Sequence, residues 1–129
     1  MVLVFHILQQ FDYLYSKFKN MLTEQLQKEI IENLLPLNPK RVILFGSYAY
    51  GSPNSDSDID LYIVTKENFI PANFEENLQI KKKVYMALSK FRKNYASDIL
   101  VHTIPVHQKF IELGSSFSKE IMQKGIILI

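Results

Sequence analysis

The sequence predicts an α/β (α+β) fold: a small mixed β-sheet of three to four strands with helices packed on it. Three observations carry this. Short β-rich runs alternate with stretches of helical periodicity in the order α-β-α-β-α-β-α. The runs "RVILFGS" (41–47), "DIDLYIV" (58–64) and "SDILVHTI" (97–104) are flanked by Gly, Pro, Asn or Ser, residues that end strands. The chain has 129 residues, 47% of them apolar, enough for one domain that buries roughly two-thirds of its unfolded surface.

Taken in order, residues 4–18 set Val4, Ile7, Leu8, Phe11, Leu14, Tyr15 and Phe18 at i, i+3, i+4 spacing, an amphipathic helix. A second helix starts at Thr23, a good N-cap, and runs through Leu26, Ile30, Ile31, Leu34 and Leu35 until Pro36 and Pro39 stop it. Strand 41–47 ends on glycine, and strand 58–64 follows a loop of Ser, Pro and Asn. Residues 75–93 repeat apolar side chains at Leu78, Ile80, Val84, Tyr85, Leu88 and Phe91, which predicts one helix. Strand 97–104 is ended by Pro105. Helices near 106–113 and 116–124 follow, the last capped by Gly125, before the apolar tail "IILI". The segment "MLTEQL" from residue 21 reads as a natural domain start. Residues 1–20 are then an N-terminal helical extension and residues 21–129 the domain proper. The aromatic load of the extension (Phe5, Phe11, Tyr13, Tyr15, Phe18) suits an interface, with a core helix as the alternative.

Composition narrows the function classes. A formal charge of +2 is too small for a protein that coats nucleic acid. The absence of cysteine excludes disulfides and thiolate zinc sites and is compatible with a reducing cytoplasm. The opening "MVLVF" lacks a basic leader region and is far too short to span a bilayer. The expectation is a cytoplasmic protein without membrane contact, its oligomeric state left open.

The chemistry lies in residues 46–60 and 98. Side chains alternate along a strand, so Asp58 and Asp60 share a face, about 7 Å apart along the chain, while Ile59, Leu61 and Ile63 take the other. Carboxylates entering a half-buried strand lose solvation, and two like charges together make this worse. A divalent cation offers the simplest relief, and hard oxygen ligands suit Mg²⁺ or Mn²⁺. Asp98 opens the third strand with the same pattern, an acid followed by "ILV". If the two strands pair, three carboxylates converge at one end of the sheet, as two-metal phosphoryl chemistry requires. Upstream, Gly46 lets a phosphate approach the backbone, and Ser47 offers a hydroxyl and an N–H.

Each feature alone has a plainer reading. Asp-x-Asp pairs are mostly turns or solvated caps, and Ser55, Asp56 and Ser57 are expected to shape the loop. His102 shares the Asp98 face but is expected to be satisfied within the sheet. His6 and His107 have no acidic or histidine company at ligand spacing.

Joined in order and spacing, Gly46-Ser47, then Asp58-x-Asp60, then a later strand acid, the pattern resembles the DNA polymerase β-like nucleotidyltransferase superfamily. Within it the chain looks like the minimal nucleotidyltransferases, the antitoxins of HEPN toxin–antitoxin pairs, over about residues 22–128. The resemblance implies the nucleotidyltransferase fold. It implies metal binding by Asp58 and Asp60, with Asp98 completing the catalytic metal site and helping to activate the attacking hydroxyl. It further implies nucleotide phosphates seated by Gly46 and Ser47, ATP as substrate with two Mg²⁺ ions, and a HEPN-domain partner whose tyrosine receives AMP. Many members read Gly-Ser-x-Ala-Arg-Gly where this chain has "GSYAYG", so Tyr50 stands at the arginine position. Loss of that guanidinium weakens phosphate binding or charge stabilisation. Lys66 and the 81–83 lysines are candidate substitutes, although the latter run also reads as a solvated helix face.

Two other readings compete with AMP transfer to a protein. One is a binding module that neutralises its partner by occlusion with little or no catalysis. The other is nucleotidylation of a small molecule, which ranks last because such enzymes carry an added helical domain for the acceptor.

Overall fold

The computed structural model describes residues 2–20, 22–54 and 56–129, with the backbone alone for residues 15–20. Met21, Ser55 and the side chains of Tyr15 and Phe18, which figure in the expectations above, lie outside the described residues. The chain runs α1 (Val2–Asn20), α2 (Glu24–Leu34), a 3-10 turn (Leu35–Leu37), β1 (Arg41–Phe45), α3 (Ser47–Tyr50), β2 (Ile59–Val64) and α4 (Phe74–Ala87). It continues through α5 (Ser89–Asn94), β3 (Ser97–His102), α6 (Ile104–Glu112), α7 (Ser116–Lys124) and β4 (Ile126–Ile127).

The strands form one mixed sheet in the order β3-β2-β1-β4. β1 is antiparallel to β2 and to β4, whereas β2 and β3 are parallel. Local chemistry sets the helix starts. The Thr23 hydroxyl accepts the Leu26 N–H at 3.2 Å, the Asn73 side chain accepts the Glu76 N–H at 2.9 Å, and the Ser115 hydroxyl accepts the Ser118 N–H at 3.1 Å. Each satisfies one of the N–H groups that a helix start leaves unpaired.

Helices cover both faces of the sheet. On one face Ile59, Leu61 and Ile63 pack with Ile30 and Leu34 of α2, Ile80 and Val84 of α4, and Leu88 and Phe91. On the other, Ile43, Tyr62 and Val64 pack with Ile121 of α7 and Phe110 of α6. The second face also carries Asp60, which shares the parity of Tyr62 and Val64.

Two expectations need correction. Residues 75–93 form two helices rather than one, broken at Leu88 (φ −95°, ψ 7°), because Leu88 and Phe91 are both fully buried and the chain turns to seat them. The third strand ends at His102 rather than at Pro105, which instead sits in the first turn of α6, where its missing N–H costs nothing. The apolar tail supplies the fourth strand on β1. Gly125 permits this close return, since a Cβ there would overlap the Ile43 side chain and the Ile121 carbonyl.

The described apolar side chains of α1 stay exposed, Phe5 at 60% and Phe11 at 64%, so α1 is not a core helix. Among the described residues no helix is long and apolar enough to cross a membrane. Because α1 buries none of these side chains against the rest of the chain, deleting residues 1–20 is expected to move the midpoint of thermal unfolding by less than about 2 °C. A circular-dichroism melt checks this, and a fall of ~6 °C or more would show that α1 supports the fold.

Candidate active site

Strand register assembles the site. The antiparallel β1–β2 ladder sets Phe45 across from Asp60, and the parallel β2–β3 ladder sets Asp60 beside Asp98. Gly46 follows Phe45 directly and adopts φ 74°, ψ −163°, a conformation open essentially to glycine. A Cβ added there would overlap the Asp60 carboxylate, so that carboxylate lies against the Gly46 backbone. Gly46, Asp60 and Asp98 therefore meet at one end of the sheet, with Ser47 opening α3 and Asp58 one residue before β2.

Electrostatics mark the same corner. Burial, then Asp98, then Asp58, push the Asp60 carboxyl up to about 6 from an ordinary 3.8. Asp58 and Asp98 are exposed, while Asp60 is partly buried. Among the described residues no three acid or imidazole side chains, as oriented here, stand close enough to enclose an ion. The donor set still suits a hard divalent cation. All three groups are carboxylates, and their mutual repulsion on Asp60 is what such a cation would relieve.

Over Asp60 and Asp98 lies a cleft of about 410 Å³, lined also by Phe45, Ile99, Leu100 and Phe117. Phe45 and Phe117 meet edge to face with ring centroids 5.8 Å apart. Phe117 belongs to α7, far along the chain, and no local signal in the sequence ties it to the acids. Tyr50 donates its hydroxyl proton to Glu120 of α7 at 3.1 Å, and burial together with that bond keeps the phenol protonated. Lys124 places its ammonium 6.0 Å from the Tyr50 ring. The cation beside the arginine position thus comes from α7. Lys66 and Lys83 line a cavity with the last residues of β2, and Lys81 lines one with His102, so these sequence candidates lie elsewhere.

The loop before β2 is held by Asn54, whose side chain accepts the Asp56 N–H at 2.9 Å while its own N–H donates to Ser57 Oγ at 2.8 Å. Asp56 and Ser57 therefore shape a turn, as expected. His102 is satisfied within the fold, also as expected: its Nδ1 lies 3.0 Å from Tyr62 Oη. His107 proves to have company. Its Nδ1 lies 2.8 Å from the same hydroxyl. The single Tyr62 proton can go to only one ring, so the other imidazole donates into the oxygen. Burial holds both imidazoles below the usual histidine range, and the pair reads as a satisfied network within the fold.

Comparison with known proteins identifies the family. The family described as "Polymerase beta, Nucleotidyltransferase" matches residues 24–129. A Methanocaldococcus jannaschii protein, provisionally named a protein adenylyltransferase, is 35% identical over 99 residues, covering 77% of this chain and 88% of its own. Among solved structures, a toxin–antitoxin complex with AMP-PNP aligns at 20% identity and a TM-score of 0.46, covering 80% of this chain and 72% of that one. A mutant MntA–HpeT toxin–antitoxin complex aligns at 18% identity and the same score, with the same coverage of both chains.

The raised Asp60 carboxyl has a consequence for stability without cations. A proton there favours the folded state at acid pH, and that contribution is lost as the pH rises through about 6. Asp60→Asn removes the penalty. In chelator at pH 7.5 the variant is expected to be more stable by roughly 1–2 kcal/mol, a figure reduced for solvent screening. At pH 4 the gain disappears. Thermal melts at the two pH values test this, and an Asn variant less stable at pH 7.5 would contradict it.

Proposed function

The chain belongs to the polymerase β nucleotidyltransferase family, and on that premise we propose that it transfers AMP from ATP to a tyrosine hydroxyl of a partner protein. The observation that carries this is the convergence of Gly46, Asp60 and Asp98 through two strand registers. The protein-adenylyltransferase name of the relative supports a protein acceptor. The resemblance to minimal nucleotidyltransferases supports a HEPN-type toxin as that acceptor, with this chain as the antitoxin acting in the cytoplasm.

In this reading Gly46 and Ser47 seat the triphosphate, the glycine by leaving room at its Cα and the serine by its hydroxyl and N–H. Asp58, Asp60 and Asp98 would hold Mg²⁺ or Mn²⁺, which supplies charge neutralisation at the triphosphate and acidifies the attacking hydroxyl. Asp98, which lines the cleft and is more exposed than Asp60, takes the tyrosine proton. The phenolic oxygen then bonds to the α-phosphorus, the bond from that phosphorus to the bridging oxygen breaks, and pyrophosphate leaves. Lys124 supplies the positive charge that an arginine at position 50 would have brought. Tyr50 positions it through the cation–π contact while Glu120 anchors the phenol. The Phe45–Phe117 wall gives the cleft an aromatic surface on which a ring of nucleotide or acceptor can rest.

Incubation with α-labelled ATP, Mg²⁺ and the partner toxin is expected to move label to the toxin, with Asp58→Ala slowing transfer by at least ~10²-fold. Transfer undiminished in Asp58→Ala would falsify the enzymatic role. Lys124→Met is expected to slow transfer roughly tenfold, the loss of one screened charge at the phosphates.

Occlusion remains a distinct second reading, motivated by the exposed apolar surface of α1. It expects protection from the toxin to survive Asp60→Asn and to vanish when residues 1–20 are removed. The catalytic reading expects the reverse for Asp60→Asn, and growth of toxin-expressing cells separates the two.

A further inference from the structure

The apolar side of α1 is left uncovered by the domain, and it has the form of one half of a helix pair. Val4, Ile7, Phe11 and Leu14 follow the alternating three-and-four spacing of a coiled-coil seam, and the sequence continues that spacing to Phe18. With the flanking Leu8, the four described seam residues are between 41% and 64% exposed. A helix of 19 residues with such a face in water is marginal on its own.

A hollow on α1 is lined by Ile7, Gln10, Phe11 and Leu14 and, among the described residues, by no other. These are positions i, i+3, i+4 and i+7, the four residues that frame the hole for one knob in knobs-into-holes packing. Such a hole takes a side chain from a second helix, and α1 itself carries a matching row of knobs. Two copies set antiparallel about a two-fold axis at residue 9 seat Ile7 of each in the hole of the other, beside Phe11. Val4 then lies across from Leu14, so every layer joins a smaller side chain to a larger one. The two Gln10 amides, the polar member of each hole, come together near the axis, where each offers both a donor and an acceptor. Antiparallel packing also opposes the helix dipoles and sends the two domains to opposite ends of the pair.

At about 200 Å² for a large apolar side chain, these half-exposed groups offer roughly 500 Å² per copy and roughly 1,000 Å² for the pair, the least that a specific interface needs. That area suits a reversible dimer. A membrane surface fits less well. An interfacial helix carries basic residues along its polar side, whereas Lys17 and Lys19 stand together at the end of α1 that joins the domain. We propose that α1 is a dimerisation helix, pairing antiparallel with α1 of a second copy through Val4, Ile7, Phe11 and Leu14. This pairing is independent of nucleotidyl transfer, since α1 shares no residue with the acid site.

Sedimentation equilibrium of the full chain is expected to show a reversible monomer–dimer equilibrium. Phe11→Glu on the seam is expected to weaken it by at least ~10-fold. Phe5→Glu, the same change at a residue of similar exposure off the seam, is expected to leave it nearly unchanged. The chain has no cysteine, so single introduced thiols report the register. A short bis-maleimide is expected to link Gln10→Cys into a covalent dimer and to leave Val4→Cys unlinked, because the two Val4 residues lie about 15 Å apart along the axis. If Phe11→Glu unravels α1 by circular dichroism, the contrast between the two thiol variants carries the test. A wild-type monomer at every concentration would leave α1 to a membrane or to another protein and overturns the assignment. Association undiminished in Phe11→Glu, equally lost in Phe5→Glu, or cross-linked at Val4 instead of Gln10 overturns it as well.

Discussion

The carboxylate of Asp60 lies against the Cα of Gly46, and the rest of the architecture follows from holding those two groups together. Only glycine tolerates the backbone conformation at 46 and the nearness of the acid. The contact needs β1 and β2 in one register, since a slip by a single residue would send Asp60 to the opposite face and bring Ile59 or Leu61 to the acid side. It needs β3 parallel and in step so that Asp98 arrives beside Asp60. The apolar layers on both faces pin those registers, because each strand buries one set of side chains under α2, α4 and α5 and the other under α6 and α7. The hydrophobic core thus fixes the position of charges it would otherwise exclude.

This arrangement is costly for the protein alone and useful in the presence of substrate. Burial and two like charges, Asp98 and Asp58, raise the proton affinity of one partly buried carboxyl, and among the described residues no ion pair answers it. A divalent cation or a cation-bound triphosphate, the occupant proposed for this corner, would relieve that repulsion. Lys124 stands over the ring of Tyr50, the residue at the position where the resemblance leads one to expect arginine. A lysine borrowed from α7 and an arginine within α3 differ in reach and in hydrogen-bonding geometry. The difference bears on rate more than on fold, because α7 is already tied to the sheet through Ile121.

Much of this was legible along the chain, and the limits have physical causes. The pairing of strand alternation with Asp58, Asp60 and Asp98 was readable because period-2 patterning is local and the acids interrupt apolar runs. The cap at Thr23 was inferable as well, whereas the pairing of the second and third strands stood only as a condition, which the parallel β2–β3 register meets. The break at Leu88 was not: no Gly or Pro marks it, and apolar spacing continues through Leu88 and Phe91 because both helices bury against one face. The bridge from His102 through Tyr62 to His107 joins residues 40 and 45 positions apart, which no local pattern encodes. Phe117, Glu120 and Lys124 reach the site by the same kind of long-range packing. Thr65 looks like an ordinary strand-end polar residue until the fold buries it.

The fold holds Asp60 against Gly46 and beside Asp98, the carboxylates proposed to bind a divalent cation. Carboxyl carbon-13 shifts of Asp60, followed through pH in chelator and then in saturating Mg²⁺ with a non-hydrolysable ATP analogue, measure this directly. The account predicts a midpoint near 6 without the cation and a fall below about 4 with it, the range of an ordinary or cation-stabilised carboxylate. A midpoint near 4 under both conditions, or one unmoved by Mg²⁺ and nucleotide, would contradict it.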